Sequence, residues 1–368
     1  MFLKHLDVLQ FKNHEQVQLE LSPGINCFFG PNGAGKTNLL DAVYYLSMCK
    51  SYLNPVDRQN IRFGQSFFMV QGDWMKGEEE YRIQCSVKQG AKKVVRRNKK
   101  EYERLSDHVG EFPVVIISPY DRDLISEGSE WRRKWMDGII CQTDKRYLHD
   151  LQQYTRILEQ RNALLKSMYD RAVFDRDSLE VWNDQLVEYG TRIHQQRLAF
   201  INQFLPVFHR FYAIFGQTTE QAEIQYRSQL NDQTFPELLT EMERKDAFSQ
   251  YTNAGPHKDD LLFVLNEVPI KKFGSQGQQK SFLIALRLAQ HHWLGKALNV
   301  VPVLMLDDIF DKLDGNRIEQ LMELVCSDAF GQVMITDTDG ERIKELFQRK
   351  EAAVHLFELR SNEVSLIQ

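Results

Sequence analysis

The pattern of apolar and polar positions predicts an α/β protein with a helical insertion. Residues 2–29 alternate as two or three strands would, and the apolar run Ile25–Phe29 is typical of a buried strand. Residues 61–117 contain further strand-like segments separated by tight turns. We interpret them as an antiparallel β lobe built from Phe67–Val70, Tyr81–Val87 and Val114–Ile117.

Residues 145–215 change to a helical pattern. Leu151, Leu158 and Leu165 are seven positions apart, and apolar residues then continue at three- and four-residue spacing at Leu179, Trp182, Leu186, Tyr189, Ile193 and Phe200. The polar segment Tyr169–Ser178 is predicted to connect two antiparallel helices. Two structures fit this pattern, a short coiled-coil-like arm and an ordinary helical subdomain with the same apolar stripe. After a polar stretch around Gln217 to Asp232, strand-like alternation returns at Leu261–Val268.

The strongest motif lies directly after the buried strand. Residues 30–37 fit the P-loop pattern G-x-x-x-x-G-K-[ST] at every fixed position, and helical spacing follows. Glycines allow successive backbone N–H groups to face phosphates, and the helix N-terminus favours anions. Lys36 is expected to reach the β- and γ-phosphates of ATP and Thr37 to hold Mg²⁺. The residues predicted to bind the nucleotide are Gly30, Pro31, Asn32, Gly33, Ala34, Gly35, Lys36, Thr37 and Asn38.

A second motif completes this prediction. The apolar run Val301–Leu306 ends in Asp307 and Asp308, which is the Walker B pattern of a buried strand followed by acids. Asp307 is expected to bind Mg²⁺, directly or through water. Asp308 is expected to be catalytic, together with Lys36, by polarising the attacking water.

A serine- and glutamine-rich segment precedes Walker B and resembles the signature motif of ATP-binding-cassette proteins. A helix is predicted from Phe282 to Gln290, and the candidate nucleotide contacts at its start are Ser275, Gln276, Gly277 and Gln278. In that superfamily the motif of one protomer closes on the γ-phosphate held by the other, so ATP bridges a dimer. Asp314 resembles the D-loop acid that follows Walker B. Asp337-Thr338 occupies the place of the switch histidine, so the sequence does not assign the residue that senses the γ-phosphate.

The amino-acid composition limits the classes of protein to which the chain can belong. The chain has 368 residues, 42% apolar and 26% charged, which is typical of a soluble globular protein of about two domains. The sequence shows no apolar run of membrane-spanning length and no signal-peptide core. Five cysteines stand singly, which favours a reducing compartment, so we expect a cytoplasmic protein without zinc or disulfides.

The net charge of −5 argues against an evenly basic nucleic-acid binder but not against local patches. Six of the nine residues in Lys92–Lys100 are basic, and this run fits either a DNA-backbone contact or a solvated hairpin tip. Arg132-Arg133-Lys134 forms a smaller cluster, which fits either a position near the nucleotide or an ion-pair network.

Most of the chain lies between Thr37 and Ser275, a spacing that is typical of chromosome-maintenance and DNA-repair ATPases such as the SMC proteins. Over essentially its full length the chain resembles the RecF family of bacterial recombination mediators. The residues that carry the resemblance are Lys12-Asn13, Gly30–Asp41, Ser118–Asp121, Arg132–Lys134, Gly255–Asp260, Ser275–Lys280 and Leu306–Asp308. Lys258 replaces the more usual Arg of that family, and Asp311-Lys312 replaces its Ser-Glu.

The resemblance implies a weak, DNA-stimulated ATPase of recombinational repair, DNA replication and the SOS response. Its ATP-dependent homodimer would bind duplex and gapped DNA, and it would help RecO and RecR load RecA. We expect an ABC-type ATPase head at about 1–140 with 250–368 and an inserted helical lobe at 141–249. The alternatives are the ATPase subunit of a transporter and an ABC-headed nuclease of the overcoming-lysogenisation-defect type.

Overall fold

The glycine-rich motif follows a strand and precedes a helix, as the sequence predicts. The computed structural model describes residues 1–217, 219–310, 313–348, 353–360 and 363–367. Its strands are β1 Phe2–Phe11, β2 His14–Glu20, β3 Ile25–Phe29, β4 Phe67–Lys76, β5 Glu79–Lys88, β6 Val94–Arg97, β7 Lys100–Glu101, β8 Val114–Ile117, β9 Ala222–Arg227, β10 Asp260–Leu265, β11 Val268–Pro269, β12 Val303–Leu306, β13 Val333–Asp337, β14 Val354–Arg360 and β15 Glu363–Leu366. Its α-helices are α1 Lys36–Met48, α2 Asp123–Ser126, α3 Ser129–Thr143, α4 Lys145–Asp170, α5 Arg176–Phe215, α6 Phe235–Ser249, α7 Ile270–Phe273, α8 Gln276–Leu298, α9 Gly315–Val325 and α10 Gly340–Gln348.

Internal contacts divide the chain into two compact units. The first unit comprises Met1–Asp121, Phe211–Gly216 and Lys280–Gln368, and the second comprises Arg122–Arg210 and Gln217–Gln279. The two units are defined by internal contacts alone. The limits of the ATPase head and of the inserted helical lobe, which the sequence suggests, therefore stay a prediction.

A mainly parallel sheet forms the centre of the first unit. Its strand order is β15-β14-β3-β13-β12-β8, and every neighbouring pair except β14–β15 is parallel. Every residue of β8 and β12 is buried, as expected for strands covered on both faces. Val114–Ile117 was predicted in the antiparallel lobe, and this is wrong because the segment pairs in parallel with β12.

An antiparallel sheet of order β2-β1-β4-β5-β6-β7 makes the second layer of the first unit. Phe67–Val70 and Tyr81–Val87 lie in it, which confirms this part of the predicted β lobe. Alternate residues point into one core that also contains side chains of α1 and of the parallel sheet, among them Leu6, Val8, Leu40, Phe68, Val70 and Met305. Because α1 contacts both sheets, the helix after the P-loop is held from two sides.

The basic run Lys92–Lys100 forms a hairpin at the edge of this sheet. Asn98 and Lys99 make its turn, with φ of 49° and 72°, as a two-residue type I′ turn requires. At about 3.3 Å per residue, β6 separates Lys92 from Lys99 by about 20 Å. Lys93 points inward, where its ammonium donates to Cys49 O at 2.6 Å and pairs with Asp57 at 2.8 Å. The six basic residues therefore do not form a single cluster.

In the second unit, α4 and α5 form the predicted antiparallel helical pair. Contacts near the connecting loop join Leu165 to Leu179, and contacts further away join Asp150 to Arg192. On α5 the predicted three- and four-residue pattern contains four fully buried positions, namely Leu179, Leu186, Ile193 and Phe200. On α4 the buried stripe is shifted to Tyr147, Tyr154, Ile157, Arg161 and Leu165, and Leu151 and Leu158 are only partly buried.

The pair also packs on a third helix. The Arg161 side chain is fully buried and pairs with Asp246 of α6 at 2.7 Å. A small sheet of order β11-β10-β9 belongs to the same unit. Its strand β9 falls in the polar stretch around Gln217 to Asp232, where no strand was predicted. Ala222, Ile224 and Tyr226 alternate as buried residues along β9. In the part of the chain that the structure describes, no helix is long and apolar enough to cross a membrane.

Candidate nucleotide-binding site

The P-loop joins β3 to α1 and depends on glycine at two close approaches. Gly30 has a φ of 153°, and a Cβ there would lie 2.3 Å from Leu359 O. Gly35 has a φ of 101°, and a Cβ there would lie 2.6 Å from the side chains of Asn13 and His14. Both glycines are therefore required for the loop to take this shape, because an L side chain would meet strain and a clash.

Lys36 supplies a buried positive charge inside this loop. Its ammonium donates to Gly30 O at 2.8 Å and to Pro31 O at 3.2 Å. The residue is only 4% exposed and is the first of α1, where the helix dipole also favours an anion. A phosphate in the loop would meet this ammonium together with backbone N–H groups, so the loop fits the group predicted for it.

The two motifs meet through a hydrogen bond between side chains. The Thr37 hydroxyl donates to Asp307 Oδ1 at 2.8 Å, across the position of β13 in the sheet. The Asp307 amide donates to Ile117 O at 2.9 Å, which holds the end of β12 against β8. Burial is the main cause that raises the pKa of Asp307 above its usual range. A hydroxyl and a carboxylate are the oxygen donors that Mg²⁺ prefers.

Thr336, at the end of β13, organises both aspartates and was not recognised from the sequence. Its hydroxyl donates to Asp307 Oδ1 at 2.8 Å and accepts from the Asp308 amide at 2.9 Å. Asp308 itself has a φ of 45°, which is uncommon for a residue other than glycine. The chain therefore turns sharply directly after Asp307. The signal in the sequence was a threonine after the apolar run Val333–Ile335, and it does not show which strands lie on either side of that run.

The turn between β1 and β2 supports the P-loop from outside. The His14 ring is hydrogen-bonded to Gly35 O at 3.0 Å, and Asn38 donates to Asn13 Oδ1 at 2.7 Å. Lys12 pairs with Asp41 of α1 at 2.5 Å. Asn38 was predicted to contact the nucleotide, and the structure gives its side chain this partner within the protein.

The signature segment belongs to the second unit, whereas Lys36, Thr37, Asp307 and Asp308 belong to the first. Ser275 Oγ accepts from the Gln278 amide at 3.2 Å, and Gln278 Oε1 accepts from the Ser275 amide at 2.8 Å. This reciprocal pair is a capping box. The helix therefore begins at Gln276 and not at Phe282 as predicted. Ser275 and Gln276 are exposed and Gly277 is partly buried.

Two further acids cap or hold helices. Asp314 accepts from the Arg317 amide at 3.0 Å as the N-cap of α9 and also pairs with the Arg317 guanidinium. Asp337 is buried and pairs with Arg342 of α10 at 2.6 Å. The rest of the predicted D-loop, Asp311 and Lys312, lies outside the described residues.

The segment Ser118–Asp121 follows β8 and joins several elements of the first unit. The Asp121 carboxylate accepts from Arg287 of α8 at 2.5 Å and from the Tyr52 hydroxyl at 2.9 Å. The Tyr52 amide in turn donates to Asp41 of α1 at 2.6 Å. The Q-loop glutamine of ABC-type proteins has no single candidate in the sequence, where Gln71, Gln142 and the segment Ser118–Asp121 are the alternatives. Gln71 bonds to Asp7 in the antiparallel sheet, and Gln142 bonds to Gly138 within α3.

The other basic cluster forms ion pairs in the second unit. Arg132 pairs with Asp260 at 2.7 Å, and Lys134 pairs with Glu130 at 2.6 Å. The segment Gly255–Asp260 contributes Asp259, whose buried carboxylate pairs with Arg197 at 2.7 Å. Of the two interpretations of the cluster, the ion-pair network is therefore the one observed.

A parallel sheet with a P-loop after one strand and paired aspartates after another defines the fold of a P-loop nucleotide-binding head. Comparison with known proteins shows that the head is of the ABC type. The family described as RecF/RecN/SMC N terminal domain matches residues 2–361. The Smc head domain from Pyrococcus furiosus has the same fold, with a TM-score of 0.56 at 14% identity over 100% of this chain and 96% of that one.

Closer relatives identify the family. The DNA replication and repair protein RecF of Flavobacterium johnsoniae is 46% identical over 359 residues, which cover 98% of this chain and 100% of that protein. A solved structure described as the recombination mediator protein RecF-ATP in the RecFOR pathway is 29% identical. Its TM-score is 0.90, and the match covers 100% of this chain and 98% of that one. The chain belongs to the RecF family.

Proposed function

We propose that this chain is an ATP-dependent DNA-binding switch of recombinational repair and replication-fork maintenance, and that it hydrolyses ATP slowly. The observation that carries the ATP site is the 2.8 Å bond between Thr37 and Asp307, which joins two motifs 270 positions apart in sequence. The relative solved as RecF-ATP supports the nucleotide. The name DNA replication and repair protein, carried by the Flavobacterium relative, supports the process.

Each P-loop residue has a role in this proposal. The backbone of Gly30–Gly35 cradles the phosphates, and Asn38 lies at the edge of the site. Lys36 leaves the carbonyls of Gly30 and Pro31 to bind the β- and γ-phosphates. Asp308 polarises the attacking water, and Thr336 fixes the backbone on which Asp308 stands.

Mg²⁺ fits the oxygen atoms of Thr37 and Asp307, which would hold it beside the phosphates. Among the described residues no group of three or more His, Cys, Asp or Glu side chains is placed to hold a metal. The ion therefore depends on water and on the nucleotide, as Mg²⁺ in phosphate sites commonly does. When bound, it neutralises charge that develops on the phosphates during transfer.

The signature segment acts in a dimer in this proposal. Ser275, Gln276, Gly277 and Gln278 of a second copy of the chain cap the γ-phosphate, and Asp314 contributes to the same contact. The exposed start of α8 supports this, because the dipole of the helix favours an anion there. ADP should not close the dimer, because the closed state is favoured only by contacts to the γ-phosphate.

The DNA role follows the family. The closed dimer binds duplex DNA at single-strand gaps, and RecO and RecR cooperate with it in loading RecA. The head is formed by about 1–140 with 250–368, and the helical lobe by 141–249.

The experiment that tests the proposal is fluorescence anisotropy of a labelled gapped duplex with ATP, with ADP and without nucleotide. We expect tight binding with ATP alone, weakened steeply by salt because phosphate contacts release counterions. Binding that is absent, or equal in all three conditions, would contradict an ATP-closed DNA clamp. Release of phosphate from ATP, measured in parallel, tests the ATPase independently of DNA.

A further inference from the structure

A surface of the first unit, outside the nucleotide site, combines exposed aromatic rings with exposed basic side chains. Phe63 is 100% exposed and Phe67 is 39% exposed. Arg58, Lys88 and Lys92 are exposed as well. We call these five residues the aromatic–basic patch. A phenylalanine with its whole ring in water buries none of its apolar area, so a ligand that covers it gains the corresponding free energy.

A tight turn presents Phe63. The Gln65 amide donates to Arg62 O at 3.0 Å, and Gly64 has a φ of 81°, as the third residue of a type II turn requires. Phe63 is therefore the second residue of this turn. The Arg62 amide donates to Gln10 O at 2.9 Å, which anchors the turn on β1. The ring is thus exposed on a backbone that is fixed at both ends.

Backbone pairing brings the basic residues to the same edge of the sheet. Phe67 is directly opposite Lys88 in the β4–β5 ladder, and the Gln89 amide donates to Ser66 O at 2.9 Å. Lys92 follows the turn after β5. The pair between Lys93 and Asp57 holds the start of β6 against the residue before Arg58. The five residues consequently form one surface, at the opposite end of β6 from Lys99.

The charges of this surface are predominantly positive. Among the described residues, the ion pairs of the region engage Lys93 with Asp57 and Arg62 with Glu15. Arg58, Lys88 and Lys92 form none there, so the patch presents three cations beside two rings. This concentration stands out on a chain with a net charge of −5.

We propose that the aromatic–basic patch binds single-stranded DNA, with a base stacked on Phe63 and phosphates held by Arg58, Lys88 and Lys92. Nucleic acid without a partner strand offers both an exposed π-face and a phosphate chain, which is the combination that ring and cations recognise. A duplex presents only its phosphates, because its bases are already stacked. A protein partner fits less well, since lysine is depleted at the centres of protein interfaces.

This inference rests on the proposed DNA-binding function and adds the surface that holds the unpaired strand. At a gap, the patch would hold the unpaired strand while other surfaces of the protein hold the duplex. The inference gives Lys92 a DNA-binding role that Lys99 and Lys100 do not share, because those two residues lie at the far end of the hairpin.

The test uses the full-length protein with a labelled oligothymidylate and, separately, a labelled blunt duplex. For Phe63→Ala we expect about tenfold weaker binding of the oligothymidylate, because one base–aromatic stack is removed, with duplex affinity and ATP hydrolysis unchanged. Phe63→Trp should retain the affinity, and its added indole fluorescence should be quenched on binding. Phe248→Ala, which removes an 82% exposed ring in the second unit, is the matched control.

A charge variant tests the phosphates. Lys88→Glu with Lys92→Glu should reduce the salt slope of oligothymidylate binding by about 1.4, since each phosphate that a lysine no longer neutralises lowers the slope by about 0.7. The same change at Lys99 and Lys100 should leave the slope unchanged.

Unchanged oligothymidylate affinity in Phe63→Ala would overturn the inference. A Phe63→Ala protein whose only defect is the loss of dimerisation would overturn it as well. Wild-type protein that binds the duplex but no single strand would also overturn it, while the proposed function would stand. Protein that binds neither would refute both, and only the ATP site would remain.

Discussion

The Thr336 hydroxyl donates to the carboxylate of Asp307 at 2.8 Å, and the hydroxyl oxygen of Thr336 also accepts from the Asp308 amide at 2.9 Å. One side chain thus fixes both Walker B aspartates, from the neighbouring strand of the sheet. Thr336 is fully buried, so no water can replace its hydroxyl without a rearrangement.

The first prediction concerns this hydroxyl. Thr336→Val should lower ATP turnover by about tenfold, because it leaves the Asp308 amide unsatisfied at a cost of about 1–3 kcal/mol. Nucleotide affinity should remain, since Lys36 and Thr37 are intact. Thr336→Ser keeps the hydroxyl and should keep turnover within about twofold. Equal turnover of the valine variant and the wild type in a phosphate-release assay would contradict the positioning role.

A second prediction concerns the P-loop lysine. Lys36→Met should weaken ATP binding by about tenfold to a hundredfold, since hydrogen bonds to charged groups contribute about 1.5–3 kcal/mol. Titration with a fluorescent ATP analogue measures the loss. Lys134→Met, which removes a surface lysine paired with Glu130, is the control and should bind normally. Normal affinity in Lys36→Met would exclude this loop as the phosphate site.

The shared-site dimer gives a third prediction. Ser275→Arg should bind ATP normally but fail to dimerise with it, as measured by light scattering coupled to size exclusion, because the arginine fills the space of the partner's γ-phosphate. The substitution also removes a helix cap worth about 1 kcal/mol. Ser228→Arg removes another N-cap of the second unit, where Ser228 accepts from the Leu230 amide, and should dimerise normally. ATP-dependent dimers of Ser275→Arg would refute the model.

The pKa of Asp307, raised by burial, gives a fourth prediction. The folded state holds the ionised carboxylate less favourably than the unfolded chain does, so ionised Asp307 lowers the free energy of unfolding. This penalty disappears as the pH falls through the folded-state pKa. Asp307→Asn should therefore raise the melting temperature of the nucleotide-free protein at pH 7, and the difference should shrink in acid.

The melting temperature of Asp307→Asn should not rise when Mg²⁺-ATP is added, whereas binding of Mg²⁺-ATP to the folded state raises the melting temperature of the wild type. A melting temperature at pH 7 that falls in Asp307→Asn, relative to the wild type, would show that the carboxylate stabilises the free protein.

A fifth prediction concerns the ion pair of Arg287 with Asp121. Both side chains are buried, and Tyr52 bonds to the same carboxylate. Asp121→Asn or Arg287→Met alone should lower the free energy of unfolding by about 3 kcal/mol, because each leaves an uncompensated buried group. The double variant Asp121→Asn with Arg287→Met should be less destabilised than the sum of the two, since neither charge remains. If the free energies of unfolding lost in the two single variants simply add in the double variant, as measured by urea denaturation, then the two side chains do not stabilise each other.

The sequence predicted those parts of the site that depend on local chemistry. The strand, the glycine loop and the helix around Lys36 could be recognised because the spacing of the motif is fixed by the phosphate geometry. Thr336 could not, since its role arises only when β13 pairs between β3 and β12. His14 is similar, because its contact with Gly35 depends on where the β1–β2 turn packs.

The fold was predicted where periodicity is unambiguous. Alternation identified the antiparallel strands, and three- and four-residue spacing identified α5. Val114–Ile117 was assigned to the wrong sheet because four consecutive buried residues carry no alternation. The stripe on α4 was misplaced because Arg161, a charged residue, occupies the buried seam through its pair with Asp246.

The position of β3 has a consequence for how the chain is made. Within the described residues its hydrogen-bonded neighbours are β13 and β14, so the strand that leads into the P-loop pairs with residues 333–337 and 354–358. At a ribosomal rate of about 5–20 residues per second, on the order of tens of seconds separate the synthesis of β3 from that of its partners. During that interval an apolar strand is exposed without its sheet. Newly made chains should therefore need a holding chaperone, and fragments that stop before β13 should neither fold the loop nor bind ATP.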